Sequence, residues 1–319
     1  MGSTWDPRLA VGSGAPAIVT GGAGFIGSTL ADALVAEGRE VHVIDDLSTG
    51  HLRNVPPEAV LHEVDIRDGA AMADIAERAG APVIFHLAAQ ADVRKAIADP
   101  AFDADVNIAG TLAILEASRV NNARVVFAAT GGGSYGEYPG LAIPTPEAAE
   151  PRPMSHYGQS KLAGEGYCGL YGRLYGIATT RLRLGNVYGP RQDPHGEAGV
   201  VAIFSGRIID GEPVTVFGDG LQTRDYVYVD DVVDAFMRAE SGPDDLTANI
   251  GTGREVSVLD LARILGAPDP TFAPARTGEL QRSCLDASRA AEVLGWTAAV
   301  AVEDGLPRTL EAIREARSA

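Results

Sequence analysis

Tyr157 and Lys161 lie four residues apart, and their types and spacing suit acid–base chemistry. On a helix, positions i and i+4 share one face, so the phenol and the ammonium would be neighbours. An unperturbed phenol has a pKa of about 10 and is a poor base near neutral pH. A nearby positive charge favours the phenolate and lowers that pKa. The pair is a candidate general base, although an exposed aromatic–lysine pair would give the same spacing.

Two hydroxyl side chains, Thr130 and Ser134, are candidates for relaying a proton to Tyr157. They lie in Ala-Thr-Gly-Gly-Gly-Ser-Tyr-Gly (129–136), directly after an apolar run that predicts a strand. In parallel sheets, ligands bind at the carboxyl ends of the strands. Thr130 is the first choice, because a glycine-rich turn with incidental hydroxyls would equally explain Ser134.

Three glycines, Gly21, Gly24 and Gly27, follow an apolar strand and precede a helical pattern. Such a turn brings backbone N–H groups and a helix N-terminus against a phosphate. Asp45 ends the next predicted strand, where a carboxylate accepts hydrogen bonds from an adenosine ribose and repels a 2′-phosphate. Asp65-Ile66 follows the third strand, where an acidic side chain would meet the adenine amino group. Together these features favour a bound NAD over NADP.

The elements that must position these residues alternate between strand and helix through residues 16–184. Strands are predicted at 40–44, 61–64, 82–87, 124–128 and 178–184, and helices at 107–120 and 157–175. This alternation predicts an α/β fold, a Rossmann-type doubly wound parallel sheet forming an NAD-binding domain. Residues 185–319 have longer loops and predict a smaller C-terminal α/β substrate-binding region, with some segments returning to the first domain. Residues 1–15 are interpreted as a disordered leader.

Composition excludes several classes of function. The net charge of −17 over 319 residues argues against nucleic-acid or anionic-membrane partners, which need clustered lysines and arginines. The chain has two distant cysteines and six histidines without metal-ligand spacing, so no metal site is expected. No apolar run reaches membrane-spanning length and no secretory signal pattern is present, so we expect a soluble cytoplasmic protein.

Long motifs in both halves of the chain match one known family. In the first half they are TGGAGFIGS (20–28), DDLSTG (45–50), DIRD (65–68), HLAAQADVRKAIADP (86–100), DVNIAGT (105–111) and the Tyr157–Lys161 pair. In the second half they are NVYGPRQDPHGEAGVVAIF (186–204), PVTVFGDGLQTRDYVYVDDV (213–232), NIGTG (249–253) and RTGELQRSCLD (276–286). The first set resembles the extended short-chain dehydrogenases/reductases. The second set resembles, within them, the UDP-glucose (UDP-galactose) 4-epimerases, over about residues 16–310.

This resemblance implies a tightly held NAD and a UDP-hexose substrate. Tyr157, helped by Thr130, would take the proton of the sugar 4-hydroxyl while carbon 4 gives its hydride to the nicotinamide. Lys161 would hold the nicotinamide ribose and keep Tyr157 acidic. The implied cofactor-binding residues are Gly21, Gly24, Phe25, Ile26, Gly27, Asp45, Asp46, Asp65, Ile66, Leu87, Ala88, Ala89, Asn107, Tyr157 and Lys161. A homodimer is expected, in which helices 107–120 and 157–175 would pair between subunits, although their apolar faces could equally pack inside one chain.

The resemblance also assigns substrate-binding residues. Asn186, Arg224 and Arg276 would bind the diphosphate, and planar guanidinium groups suit that anion. The remaining implied contacts are Thr130 with the sugar, Val200, Val201 and Phe217 with the uracil, Tyr226 and Glu279 nearby, and Ser283 beside the hexose. A surface ion pair with Asp225 or Asp219 is the alternative for Arg224.

Several positions depart from the family pattern or bear on the sugar. Ala129 replaces a hydroxyl residue and Ser134 an apolar one, so the assignment of the proton relay stays open between Thr130 and Ser134. Asp193 stands where relatives acting on UDP-glucuronic acid carry an arginine, which favours a neutral hexose. Ser283 replaces a bulky aromatic residue, which leaves room for UDP-GlcNAc/UDP-GalNAc beside UDP-glucose/UDP-galactose.

Three alternatives accompany the epimerase interpretation. A nucleotide-sugar 4,6-dehydratase would need an acidic pair in the Thr130 segment, which has only glycines and hydroxyls there. A UDP-GlcNAc-specific 4-epimerase differs only in its preferred sugar. A non-catalytic NAD-binding sensor would be expected to lack Tyr157 or Lys161, and both are present.

Overall fold

The computed structural model describes residues 14–193, 199–267, 269–276 and 279–318. Most of the predicted leader, residues 1–13, lies outside the described residues. The strands are β1 (Ala17–Thr20), β2 (Val41–Asp45), β3 (Val60–Glu63), β4 (Val83–His86), β5 (Arg124–Thr130), β6 (Thr179–Leu184), β7 (Asn186–Tyr188), β8 (Thr215–Phe217), β9 (Thr223–Arg224), β10 (Tyr226–Tyr228), β11 (Asp245–Ile250), β12 (Val256–Ser257) and β13 (Thr271–Ala273).

The helices separate most of these strands. They are α1 (Phe25–Ala36), α2 (Gly69–Ala79), α3 (Val93–Ala98), α4 (Pro100–Ala104), α5 (Gly110–Asn121), α6 (Gly131–Tyr135), α7 (His156–Tyr175), α8 (Val200–Ile209), α9 (Val229–Ala239), α10 (Val258–Ile264), α11 (Ser288–Leu294) and α12 (Val302–Ser318). A π-helical turn, Asp105–Ala109, joins α4 to α5, so the helix predicted from residue 107 starts inside a longer helical segment.

Seven parallel strands form the central sheet in the order β11-β6-β5-β4-β1-β2-β3. β1 and β2 are buried along their whole length, and most of their residues are apolar, as expected for strands covered on both faces. On one face of the sheet, α1 and α9 pack in a large apolar core, and on the other α2 and α5 pack together. The predicted doubly wound parallel sheet is confirmed.

A second apolar core lies in the chain beyond residue 185. Tyr188, Phe204, Val216 and Leu261 belong to it, with α8, α10 and α12 around three two-stranded sheets, β10-β7, β12-β9 and β13-β8. Two segments of this half return to the central sheet, because β11 pairs with β6 and α9 packs on α1. The division of the chain at residue 184 into two domains stays a prediction.

Candidate active site

A cavity of about 470 Å³ opens at the carboxyl ends of β1, β2, β4 and β5. Its walls contain all but one of the predicted cofactor-binding residues: Gly21, Gly24, Phe25, Ile26, Gly27, Asp45, Asp46, Asp65, Ile66, Leu87, Ala88, Ala89, Tyr157 and Lys161. Residues from separate parts of the chain thus meet at one edge of the sheet, where parallel sheets bind ligands.

The glycine turn leaves no space for side chains. Gly21 has a φ of 70°, and a Cβ there would lie 2.7 Å from the backbone nitrogen of Ala88. A Cβ on Gly27 would overlap the carbonyl oxygen of Gly21. α1 begins at Phe25 without a side-chain cap, and Phe25, Ile26 and Gly27 of its first turn line the cavity. The turn therefore fits the diphosphate of a dinucleotide.

Asp45 is buried at the end of β2. One carboxylate oxygen accepts the N–H of Ala23 and the other accepts the N–H of Leu47, each at 2.9 Å. Burial raises the pKa of Asp45, and these two backbone hydrogen bonds oppose the shift. The side chain is therefore held rigidly beside the glycine turn, where the sequence places the ribose.

Asp65 lines the cavity but is also engaged by Arg67. The guanidinium contacts the carboxylate at 2.5 Å, and its hydrogen bonds hold the pKa of Asp65 below its ordinary value. Arg67 reaches Asp105 as well, at 2.6 Å. Any contact of Asp65 with an adenine amino group would share the carboxylate with Arg67.

Asn107 is the one predicted cofactor residue outside the cavity lining. Its amide oxygen accepts the N–H of Gln90 at 2.9 Å, and its amide nitrogen donates to the Gln90 carbonyl at 2.8 Å and to Asp103 at 3.1 Å. Both ends of the amide hold the segment after β4. A direct contact of Asn107 with the cofactor stays a prediction, and in the structure its amide holds Gln90, which lines the cavity.

Tyr157 and Lys161 occupy the first turns of α7 and line the same cavity as the glycine turn. Ser155 caps this helix by accepting the N–H of Gly158 at 3.0 Å. Lys161 is 3% exposed, and its Nζ lies 4.8 Å from the centre of the Phe127 ring on β5. An ammonium fixed one helical turn from the phenol favours the phenolate.

Thr130 and Ser134 lie in a helical turn rather than an open loop. Thr130 is the N-cap of α6, and its hydroxyl accepts the N–H of Gly133 at 3.2 Å. Ser134 is fully buried, and its hydroxyl has no hydrogen-bond partner among the described residues. Neither hydroxyl belongs to the cavity lining. Because Thr130 ends β5 and is partly exposed, it stays the better candidate for the proton relay.

Several predicted substrate residues lie close together beyond the sheet. Asn186 pairs with Tyr226 across the β7–β10 ladder, and Arg224 approaches Glu279 at 3.7 Å. Asp225, the partner considered for Arg224, is instead buried and accepts hydrogen bonds from other segments. The ion-pair alternative with Asp225 is not what the structure shows.

The predicted uracil-binding residues are divided between surface and core. The guanidinium of Arg276 lies 3.9 Å from the centre of the Phe217 ring, and Val200 is partly buried. The side chains of Val201 and Tyr226 belong to the second apolar core, and the Tyr226 hydroxyl has no hydrogen-bond partner among the described residues. The uracil contact of Val201, and the position of Tyr226 near the uracil, stay predictions.

Ser283 connects this region to the Thr130 segment. Its N–H donates to the carbonyl of Thr223 at 3.2 Å. Its hydroxyl lies 3.0 Å from the position that a Cβ on Gly132 would occupy, inside α6. The residue expected to face the hexose therefore contacts the turn that begins at Thr130.

One group of residues that line the cavity, and one buried hydrogen-bond network, are not evident from the sequence. The missed lining residues include Gln90, Asp92, Arg94, Lys95 and Phe102. The buried network joins Thr20 to His86. The resemblance of segment 86–100 to the family motif is the one sequence feature that points to these residues. Their side-chain types alone do not indicate what each of them does.

No cluster of three or more histidine, cysteine, aspartate or glutamate side chains among the described residues could hold a metal ion. No helix within the described ranges is long and apolar enough to cross a membrane.

Comparison with known proteins gives the family. Residues 17–251 match the model described as the NAD dependent epimerase/dehydratase family. A UDP-glucose 4-epimerase of Mycolicibacterium smegmatis is 48% identical over 310 residues, covering 93% of this chain and 98% of that protein. The Thermotoga maritima UDP-glucose 4-epimerase, solved with UDP-glucose, aligns at 45% identity with a TM-score of 0.92, covering 95% and 99% of the two chains.

A third similar structure is the UDP-glucose 4-epimerase of Thermus thermophilus in complex with NAD. It is 42% identical, with a TM-score of 0.87 and coverage of 94% of this chain and 99% of that one. Together with the cavity and its glycine turn, these matches show that the chain belongs to the NAD dependent epimerase/dehydratase family.

Proposed function

We propose that this enzyme interconverts UDP-galactose and UDP-glucose by inverting carbon 4 of the hexose. The observation that carries the proposal is the shared cavity, in which Tyr157 and Lys161 face the same space as the glycine turn and Asp45. The similarity to UDP-glucose 4-epimerases over nearly the whole chain supports this choice of reaction.

Tyr157 is the proposed general base, and it takes the proton of the 4-hydroxyl directly or through Thr130. NAD⁺, when bound, supplies a reversible acceptor for the hydride of carbon 4. Lys161 keeps the phenol acidic by its charge. The resulting 4-keto sugar turns about its diphosphate link and presents its other face. Carbon 4 takes its hydride back on that face while Tyr157 returns the proton to the oxygen at carbon 4, so the configuration is inverted.

Arg224 and Arg276 are proposed to bind the diphosphate, with Asn186 beside them. Their positive charge offsets the repulsion that a chain of net charge −17 exerts on UDP. Arg224 lies near Glu279 and Arg276 lies over Phe217, and the proposal that Glu279 and Phe217 belong to the uracil region supports this role of the two arginines.

The experiment is turnover of UDP-galactose by purified protein without added NAD. We expect UDP-glucose to form, because the cofactor leaves each cycle in the state in which it began. NAD content is measured in the same sample after denaturation. A Tyr157→Phe variant should retain NAD and lose nearly all activity. Absence of UDP-glucose from NAD-loaded protein would contradict the proposal.

A wider sugar range is a second candidate, because Ser283 is small and faces the turn at Gly132. UDP-GlcNAc and UDP-GalNAc are the sugars proposed to fit. A 4,6-dehydratase is not favoured, since residues 129–136 offer glycines and hydroxyls but no acid.

A homodimer through α5 and α7 is also proposed. Val120, Leu174 and Tyr175 are exposed apolar or aromatic side chains near the C-terminal ends of these helices, which supports pairing with a second copy. Light scattering during size-exclusion chromatography should give twice the mass of the chain. A monomer at micromolar concentration would contradict the proposed homodimer.

The cytoplasmic location stays a prediction.

A further inference from the structure

Glu165 and Arg183 form a buried ion pair behind the active-site cavity. The guanidinium Nε lies 3.0 Å from both carboxylate oxygens, and one terminal nitrogen lies 2.6 Å from Oε2. The two side chains are 6% and 8% exposed. A buried pair of this kind contributes little net stability, but it fixes the geometry of the elements that carry it.

One end of the pair belongs to the helix that bears Tyr157 and Lys161. Glu165 follows Lys161 by one turn of α7, so the three side chains share a face of that helix. Arg183 lies on β6, in the sheet beneath this face. The pair therefore anchors the catalytic face of α7 to the sheet.

Arg183 also reaches the segment that starts at Thr130. Its other terminal nitrogen donates to the Tyr135 hydroxyl at 2.8 Å, and its guanidinium carbon lies 4.9 Å from the centre of that ring. The Tyr135 hydroxyl in turn donates to Asn249 at 2.9 Å. Burial raises the pKa of Tyr135, so the phenol keeps the proton that it donates. Tyr135 ends α6, the turn capped by Thr130.

Beside Tyr157, contact between the two backbones limits how closely α6 and α7 can approach each other. A Cβ on Gly158 would overlap the carbonyl oxygen of Gly133, so the two backbones already touch beside Tyr157. The helices cannot move closer there. Arg183 prevents them from separating at the opposite end, because it binds Glu165 and Tyr135 at once.

We propose that Arg183 is a positioning residue for proton transfer, which sets the distance between Thr130 and Tyr157. The inference rests on the proposed function, since it assumes that these two residues handle the proton of the sugar hydroxyl. Misplacing reacting groups by about 1 Å can cost about 100-fold in rate. Neither NAD nor the UDP moiety contacts Arg183 in this scheme, so binding should be unaffected.

The experiment uses two variants that remove the bridge in different ways. Tyr135→Phe keeps the ion pair and removes the hydrogen bond from Arg183 to α6, together with the bond from Tyr135 to Asn249. The double variant Glu165→Leu with Arg183→Met replaces the buried charges by apolar groups of similar size, which often preserves stability. For both we expect kcat to fall at least tenfold, with KM for UDP-galactose within twofold and NAD content unchanged.

Arg181→Met is the matched control. Arg181 lies on the same strand and donates to Asp245 at 2.5 Å, to Thr247 at 3.1 Å and to Thr179 at 3.0 Å, and none of these partners belongs to α6 or α7. Its kcat should stay within twofold of the unmodified enzyme. A merely structural role of Arg183 would instead lower the melting temperature, the NAD content and kcat together.

Two outcomes separate this inference from the proposed function. If Tyr157→Phe is inactive while Tyr135→Phe and the double variant keep kcat within twofold, the positioning role is wrong. A loss of kcat accompanied by loss of NAD in both variants also overturns it. If Tyr157→Phe itself remains active, the proposed function fails, and the inference fails with it.

Discussion

The hydroxyl of Thr20 donates to Nδ1 of His86, with 2.8 Å between the two atoms. The direction follows from the neighbours, because Thr20 Oγ1 already accepts the N–H groups of Leu87 and Ala88. Nε2 of the ring then donates to Thr111 at 3.0 Å. The neutral imidazole thus joins the ends of β1 and β4. The segments that follow these two strands line the cofactor cavity.

This arrangement predicts a pH dependence of stability. Burial, with a smaller effect of Lys161, lowers the pKa of His86 to about 3. The unfolded chain therefore takes up a proton near its ordinary value of about 6.5, whereas the folded chain does not. The contribution of His86 to the free energy of unfolding is therefore complete above pH 6.5. Below that pH it decreases by about 1.4 kcal/mol per pH unit.

Urea unfolding at pH 7, 6 and 5 checks this prediction. His86→Gln should be less stable than the unmodified protein at pH 7, and the difference should shrink as the pH falls to 5. A difference that stays constant over this range would show that His86 does not carry the effect.

Gly21→Ala should empty the cofactor site. Its positive φ costs an alanine about 1 kcal/mol, and the new Cβ would push on the Ala88 nitrogen beside the cavity. Gly38→Ala is the control, because Gly38 has a φ of 77° and nothing within 4 Å of a Cβ. We expect at least a tenfold loss of NAD from the first variant and none from the second. Equal NAD content, measured after denaturation, would contradict the prediction.

Asp225→Asn should weaken substrate binding without affecting NAD. The Asp225 carboxylate accepts the N–H of Thr252 at 2.7 Å and of Leu285 at 3.1 Å, and its carbonyl accepts the N–H of Asn186 at 2.7 Å. The side-chain amide of asparagine has one acceptor oxygen, so it cannot accept both the Thr252 and the Leu285 N–H groups, and the segments around the proposed UDP site should loosen. We expect KM for UDP-galactose to rise at least tenfold.

Asp219→Asn is the control for this variant, because Asp219 is exposed and caps a local turn through the N–H of Leu221. Its KM should change less than twofold. A similar KM in both variants would show that Asp225 does not organise the substrate region.

Ser283→Tyr should separate the two sugar classes. The serine hydroxyl lies beside Gly132, so a tyrosine ring would fill the space next to the Thr130 turn. Turnover of UDP-GlcNAc should be abolished, while UDP-galactose turnover should remain within a few-fold. Both activities are measured on the same preparation. If the turnover of both substrates changes by the same factor, the side chain at position 283 does not select between the two sugar classes.

The sequence by itself determined the fold class and the cofactor cavity to a large extent. Its strand–glycine–helix segment and the acidic end of β2 are local patterns, and strand alternation predicts where carboxyl ends meet. For that reason the sequence alone predicts that Gly21, Asp45, Tyr157 and Lys161 meet, and the four residues line one cavity. The bounds of β2 and α7 differ from their predictions by one residue.

Only the tertiary structure decided how polar side chains share their partners. Asn107 holds Gln90, Thr130 caps a helical turn, and Arg183 joins Glu165 to Tyr135. These pairings connect residues far apart in sequence, and a hydrogen bond depends on distances of a few tenths of an ångström. Residue type and spacing predict which groups reach one edge of the sheet, whereas packing selects the partner that each group binds.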